Sequence, residues 1–247
     1  MEVHQHTHTP RKKWTHYLWE FLMLFLAVFC GFLAENQREH IIEHKREKQY
    51  IISLIRDVEL DIVSLQQSLG IRNKYINYYD SLVLLLKHYN DNSLNDIYFY
   101  ARHAGRTTEF KYHDRTIEQL KSSGSLRLIR NKEVADSITI YDNEVIKKIL
   151  MQQEIIEPRF RNDILANHIG KIFNPFEWDE MVDNTAAIFR TVHNPKLFNK
   201  DPKQLYDFTI QIITLKTAYR ITNGYIQNAI QSAEGLIAFL IKEYHLE

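Results

Sequence analysis

The chain has 247 residues, and its 31 lysines and arginines are balanced by 31 aspartates and glutamates, so its formal net charge is zero. It contains 7 glycines and 5 prolines, whereas average usage would give roughly 30 for the two together. This scarcity of turn residues disfavours an all-β sandwich and any fold built on a glycine-rich phosphate loop. Neutral charge also argues against a nucleic-acid-binding protein. We therefore expect an all-α protein with no nucleic-acid partner.

The N-terminal region has the pattern of a membrane anchor. Residues 1–16 form a polar, histidine-containing tail, and residues 17–34 form an apolar segment that we interpret as a transmembrane helix. As a helix it would span about 27 Å, close to the bilayer hydrocarbon thickness of about 30 Å. Its uninterrupted apolar part, residues 21–34, is short, so a cleaved signal peptide and a buried soluble helix remain alternatives. Phe32 occupies a position where a signal-peptidase site requires a small residue, which favours an uncleaved anchor.

Basic residues flank the anchor on both sides, so the positive-inside rule discriminates little between the two orientations. The small size of the N-terminal tail favours leaving the tail in the cytoplasm and exporting the rest of the chain.

One face of the predicted anchor carries Glu20, Ala27 and Gly31, at helical spacing. Ala27 and Gly31 form a pair of small residues that allows two helices to approach closely, and a carboxyl group inside a membrane is costly. We interpret this face as a site for oligomerisation or for docking a partner. The alternative is that Glu20 reaches the lipid headgroups and that the small residues have no role.

Residues 35–247 are predicted to form an elongated antiparallel helical bundle. Apolar residues recur at heptad spacing from Ile51 to Leu69, and Gly70 is predicted to end this helix. Because no Gly or Pro separates the anchor from this segment, we expect one helix to run from one into the other. A turn at Gly70 would bring the next helix back alongside, which favours the bundle over a parallel coiled coil.

Between Gly70 and the C-terminus, helices are predicted at 72–90, 94–101 and 115–123, with Gly124 as the end of the third. Asn131 is predicted to cap the next helix, which Pro158 kinks or breaks before it ends at Gly170.

Residues 171–202 are interpreted as a connector containing a short helix, and Asp201 as the N-cap of the last helix. The apolar residues of that last helix repeat at spacings of three and four: Leu205, Phe208, Ile212, Leu215, Tyr219, Thr222, Ile226, Ala229, Ala233, Leu236 and Leu240.

The stretch His40-Ile41-Ile42-Glu43-His44 matches the H-x-x-E-H pattern of inverted zinc hydrolases. Zinc chemistry would need both histidines on one helix face, a further ligand and an open water position. The motif lies in a segment rich in Glu, His, Lys and Arg, where chance matches are common. We therefore expect a solvated helix face, with no enzyme activity, no catalytic residue and no cofactor, and keep His40 and His44 as weak metal candidates. His4, His6 and His8 in the tail are weaker candidates still.

Two further groups of residues have a binding alternative. The basic loop Arg102–Arg106, with Lys111, His113 and Arg115, could bind an anion or a partner, although we expect a solvated connector. Tyrosines cluster between Tyr75 and Tyr100; we expect most of them to fill the core of the bundle rather than a ligand groove.

The stretches Trp19–Tyr50 and Thr116–Asn131 resemble a family of uncharacterised bacterial single-pass membrane proteins. The resemblance implies an N-terminal anchor with an embedded glutamate, here Glu20, followed by a mostly helical domain. It also implies a bacterial inner-membrane location, and with the orientation above this places the bundle in the periplasm. The family carries no known activity.

The sequence thus predicts a membrane-anchored, non-catalytic interaction or assembly protein, with a protein partner or a second copy of itself. The first alternative is a ligand-sensing helical bundle outside the cytoplasm that acts through a separate partner. The zinc-dependent hydrolase is the second.

Overall fold

The computed structural model describes residues 14–246, and these residues form an all-α structure, as predicted. Backbone pairing of the β type is limited, within this range, to isolated bridges at Phe173–Leu197 and Val182–Ile188. The helices are α1 (Trp14–Lys87), α2 (Leu94–Arg102), α3 (Arg115–Ser122), α4 (132–172), α5 (Pro175–Asp179) and α6 (Pro202–Glu243).

The chain divides into two compact units, Met1–Gln49 and Tyr50–Glu247. In the first unit, every described residue from Trp14 to Ile42 is exposed. This part of α1 contains an 18-residue window with a mean hydropathy of 2.0 and no buried residue. By length and composition it is a candidate membrane span. The predicted tail lies largely in residues 1–13, outside the described range, and Trp14 already belongs to the helix.

In the second unit, hydrogen bonds between the elements define an antiparallel bundle. Asn223 of α6 accepts from Arg72 (3.1 Å), whereas Lys216 of α6 bonds to Asp80 (2.7 Å), so α6 runs opposite to α1. On α4, Tyr141 bonds to Asp61 and Glu157 to Arg72, so α4 runs parallel to α1.

The segment that contains α2 and α3 runs back along α1. His103 contacts Tyr79 of α1, Lys111 contacts Ser64 and Thr116 contacts Asp57. The contacts therefore move towards the start of α1 as this segment proceeds. Within residues 50–246, α1 and α4 therefore run in one direction, and the segment with α2 and α3 and helix α6 run in the opposite direction.

The core of this unit has two apolar parts separated along the bundle. One contains Ile51–Leu65 of α1 and Ile226–Leu240 of α6, and the other contains Ile76–Leu82 of α1 and Phe208–Tyr219 of α6. The predicted apolar seams thus pack against each other inside one chain. Between the two parts, α1, α4 and α6 contribute the buried polar residues Ser68, Arg72, Gln152, Gln153, Glu157, Thr222 and Asn223. We call this set, together with Arg161 of α4, the polar layer.

The prediction that Gly70 ends the first helix was wrong. Helix α1 continues through Gly70 to Lys87, and the chain turns at residues 88–93, where Asn90 caps the following helical turn. A mid-helix glycine costs only about 1 kcal/mol, and each buried large side chain beyond it contributes about 2 kcal/mol. Ile76, Tyr79 and Leu82 are buried there, so packing outweighs the local preference. The predicted separate helix at 72–90 is the last part of α1.

Other predicted boundaries are confirmed. The side chain of Asn131 accepts from the Glu133 N–H at 2.9 Å, and Asp201 accepts from Lys203 at 3.2 Å. Gly124, after α3, has a φ of +66°, the left-handed conformation that favours glycine.

Helix α4 is continuous past Pro158 and ends at Ile172, slightly beyond the predicted Gly170. Its α-helical turns alternate with π-helical turns at Tyr141–Ile146, Gln152–Ile156 and Leu165–Ile169. The wider turn at Gln152–Ile156 lies just before Pro158, where a proline ring would otherwise clash with the preceding turn.

Each π turn also shifts which residues face the core. Buried residues occur five positions apart at Tyr141 and Ile146, at Gln152 and Glu157, and at Ile164 and Ile169. A regular α-helix would place residues five apart on different faces.

Gly70 provides a test of the continuous helix. A Cβ atom added at Gly70 would meet nothing within 4 Å, so Gly70→Ala should stabilise the full chain by about 0.5–1 kcal/mol, because alanine favours the helix. The matched control Gly124→Ala should destabilise it by about 1–2 kcal/mol, because the φ there is positive. Urea unfolding of both variants in detergent measures the two changes. A loss of stability in Gly70→Ala would contradict continuity at this position.

Candidate functional site

The predicted face of the anchor is exposed in the first unit. Glu20, Ala27 and Gly31 are all accessible, and nothing lies within 4 Å of a Cβ atom built at Gly31. The Glu20 carboxylate pairs with the imidazole of His16 one turn earlier at 3.0 Å. The face therefore has room for the close approach of another helix, and its role in assembly stays a prediction.

The two histidines of the H-x-x-E-H stretch lie on exposed helix, and each pairs with a carboxylate one turn later. His40 lies 3.9 Å from Glu43, and His44 lies 3.3 Å from Glu47. Among the described residues, three side chains that could together bind a metal ion lie elsewhere, in the connector between α4 and α6. The tail histidines His4, His6 and His8 lie outside the described residues.

A buried ion pair lies in the polar layer. The guanidinium of Arg72 donates from Nη2 to the Glu157 carboxylate, and the exposed fractions of the two side chains are 0% and 2%. Glu157 also accepts from the hydroxyl of Thr222 at 2.6 Å, and the ring of Tyr219 lies 4.4 Å from the Arg72 guanidinium carbon. One ion pair thus joins α1, α4 and α6.

The polar layer is not fully satisfied by its own members. Among the described residues, the buried side-chain atoms without a hydrogen-bond partner are Ser68 Oγ, Arg72 Nη1, Gln152 Oε1 and Arg161 Nη1. Each such atom costs about 1–3 kcal/mol. The layer therefore specifies which residues face each other more than it adds stability.

A second set of buried polar groups, which shares Gln153 with the polar layer, accepts hydrogen bonds from the backbone of the extended residues 106–114, which lack helical hydrogen bonds, and from the first turn of α3. The N–H of Phe110 donates to Gln153 (2.7 Å), and the N–H of His113 donates to Asp61 (2.8 Å). Asp57 accepts from the N–H of Thr116 at 3.0 Å. These buried side chains take the place of helical carbonyls.

Asp61 is the centre of this second set. Its carboxylate also accepts from the His113 ring (3.0 Å) and the Tyr141 hydroxyl (3.0 Å). Burial raises the pKa of Asp61, although these hydrogen bonds oppose the shift. Burial and the neighbouring Asp61 charge raise the pKa of Tyr141 well above its usual range. Asp61 thus accepts hydrogen bonds from a histidine and a tyrosine side chain and also holds the backbone of His113 in place.

The basic loop is used mainly inside the domain. Arg102 lies over the Trp178 ring at 4.7 Å, and Arg106 donates to the Ala186 carbonyl at 2.6 Å. His103 donates from Nδ1 to the Phe99 carbonyl (2.8 Å) within a cluster of aromatic rings, and burial lowers its pKa. These contacts favour a structural role over an anion site. Tyr79 and Tyr98 of the tyrosine cluster are fully buried.

An apolar groove opens on the surface of the second unit. Its volume is about 430 Å³, and its lining comes from the end of α1, the turn after it and the first part of α6. Exposed fractions are 69% for Tyr206 and 37% for Ile213. The lining residues are Val83, Leu86, Lys87, Tyr89, Lys200, Pro202, Leu205, Tyr206, Thr209 and Ile213.

Comparison with known proteins gives no relative: no family model, curated protein or solved structure matches this chain. The resemblance to a bacterial membrane family therefore stays a prediction.

Proposed function

We propose that this protein is a membrane-anchored, non-catalytic interaction protein whose helical bundle docks a partner protein. The apolar groove is the observation that carries the proposal. Soluble surfaces rarely leave a continuous apolar concavity open, and such surfaces are typical of interaction sites. The exposed apolar part of α1 supports the anchoring role, because among the described residues its apolar window is 0% buried.

The partner segment that best fits the groove is an amphipathic helix with acidic residues. The groove lies between α1 and α6, so a third helix can place residues at i, i+3, i+4 and i+7 against Leu86, Leu205 and Ile213. Lys87 at the lining supplies positive charge for an acidic flank. A second copy of this chain is a less suited occupant, because the charged residues that line the groove are lysines and offer no acidic group to a second groove.

The orientation we propose leaves the N-terminal tail in the cytoplasm of a bacterium and the bundle in the periplasm. It keeps the orientation that the sequence predicts and the bacterial location that the resemblance implies. Alkaline phosphatase fused after Glu247 should be active in cells, because this enzyme requires export. A cytoplasmic reporter that is active at the same position, with an inactive phosphatase fusion, would contradict the orientation.

Photo-cross-linking tests the docking role. A photoreactive amino acid in place of Tyr206, in the full chain in native membranes, should yield one discrete protein adduct. Ile213→Glu should abolish this adduct, because it places a carboxylate in the apolar lining beside an acidic partner.

The matched control is Ile210→Glu. Ile210 lies on the same helix with an exposed fraction of 44% but does not line the groove, so the adduct should persist in that variant. No protein adduct at Tyr206, or an adduct that both glutamate variants abolish alike, would overturn the docking role. Identification of the partner segment by mass spectrometry then shows whether it is amphipathic and acidic.

A further inference from the structure

The connector between α4 and α6 brings together three metal-ligand side chains that the sequence did not indicate. Ligand atoms of Glu177, Glu180 and His193 all lie within 4.8 Å of one another. Glu177 belongs to α5 and Glu180 follows it by one helical turn, whereas His193 comes from a loop 16 residues further along the chain than Glu177. The set therefore joins two segments that only the fold places together.

Side chains of α2 hold both segments. The Tyr98 hydroxyl accepts from the backbone N–H of Asn174, just before α5, at 2.8 Å and donates to the Lys196 carbonyl at 2.9 Å. The Asn95 side chain bonds to both backbone groups of Thr191, donating at 2.7 Å and accepting at 3.2 Å. Backbone on either side of His193 is thus fixed to the same helix that fixes the start of α5.

The closest two ligand atoms are already within hydrogen-bond distance of each other. His193 Nε2 lies 2.6 Å from Glu177 Oε2, and Glu180 adds a second carboxylate close to this pair. A divalent cation between these ligand atoms would balance the charges of the two carboxylates. Small changes of side-chain torsion would bring all three atoms to the usual bond lengths of about 2.0–2.2 Å.

One imidazole and two carboxylates suit zinc and related transition ions better than magnesium or calcium, which prefer oxygen ligands alone. The His193 side chain is 53% exposed, so water can complete the coordination. We propose that Glu177, Glu180 and His193 form a binding site for a divalent transition-metal ion of the zinc class, which ties α5 to the loop that contains His193.

Binding of an ion to the folded connector stabilises the fold by mass action. The site is independent of the groove and of the partner proposed above.

Zinc titration of the full chain in detergent tests the site. Substitution of His4, His6 and His8 by alanine first removes binding by the N-terminal tail. This parent should hold one equivalent of Zn²⁺ more than its His193→Ala and Glu177→Gln variants, and affinity at the site should fall by more than about tenfold in each. Thermal unfolding should shift upward with Zn²⁺ in the parent and return to its starting value with EDTA.

The matched control is His168→Ala. His168 also pairs with a carboxylate, that of Asp163, at 3.6 Å, and its loss should leave the high-affinity equivalent unchanged. Equal thermal stability of parent and variants in EDTA establishes that the substitutions leave the fold intact. Equal zinc binding by the parent and the His193→Ala and Glu177→Gln variants, or a loss of the equivalent in His168→Ala alone, would overturn the proposal.

Discussion

The buried ion pair between Arg72 and Glu157 is the interaction on which the bundle depends. The two apolar parts of the core would tolerate sliding of one helix along another, because leucine and isoleucine side chains pack without direction. Each charge of a buried ion pair must face its counter-ion, because an uncompensated buried charge costs about 3–5 kcal/mol. Through Thr222 and Asn223 the pair also contacts α6. It therefore sets the relative positions of α1, α4 and α6, and with them the groove at the end of α1.

The apolar seams of α1 and α6 could be predicted because their spacing is regular, and the caps at Asn131 and Asp201 because their chemistry is local. The turn predicted at Gly70 was wrong, because tertiary packing decides whether a helix continues through a glycine. Helix α4 could not be predicted in detail, because its π turns displace the buried face by one residue each time. No fixed periodicity in the sequence identifies Gln152 and Glu157 as neighbours in the core.

Of the polar layer, the groove and the cluster in the connector, only the polar layer has an indication in the sequence. Arg72 continues the heptad positions of Leu65 and Leu69, so a charge on the apolar seam could have pointed to the buried pair. The partner Glu157 gave no such sign. The groove combines residues more than 100 positions apart, and the cluster of Glu177, Glu180 and His193 depends on hydrogen bonds from α2. Such sites arise from topology, whereas the H-x-x-E-H motif at His40 is local and lies on exposed helix.

A double-mutant cycle on Arg72 and Glu157 tests the central claim most directly. Glu157→Leu in the full chain should lower the free energy of unfolding in urea by about 3–5 kcal/mol, because Arg72 keeps its buried charge without a counter-ion. Addition of Arg72→Met should restore much of this loss, since an apolar pair of similar volume needs no partner. A small effect of Glu157→Leu alone, or a double variant that loses the sum of the two single effects, would contradict the account.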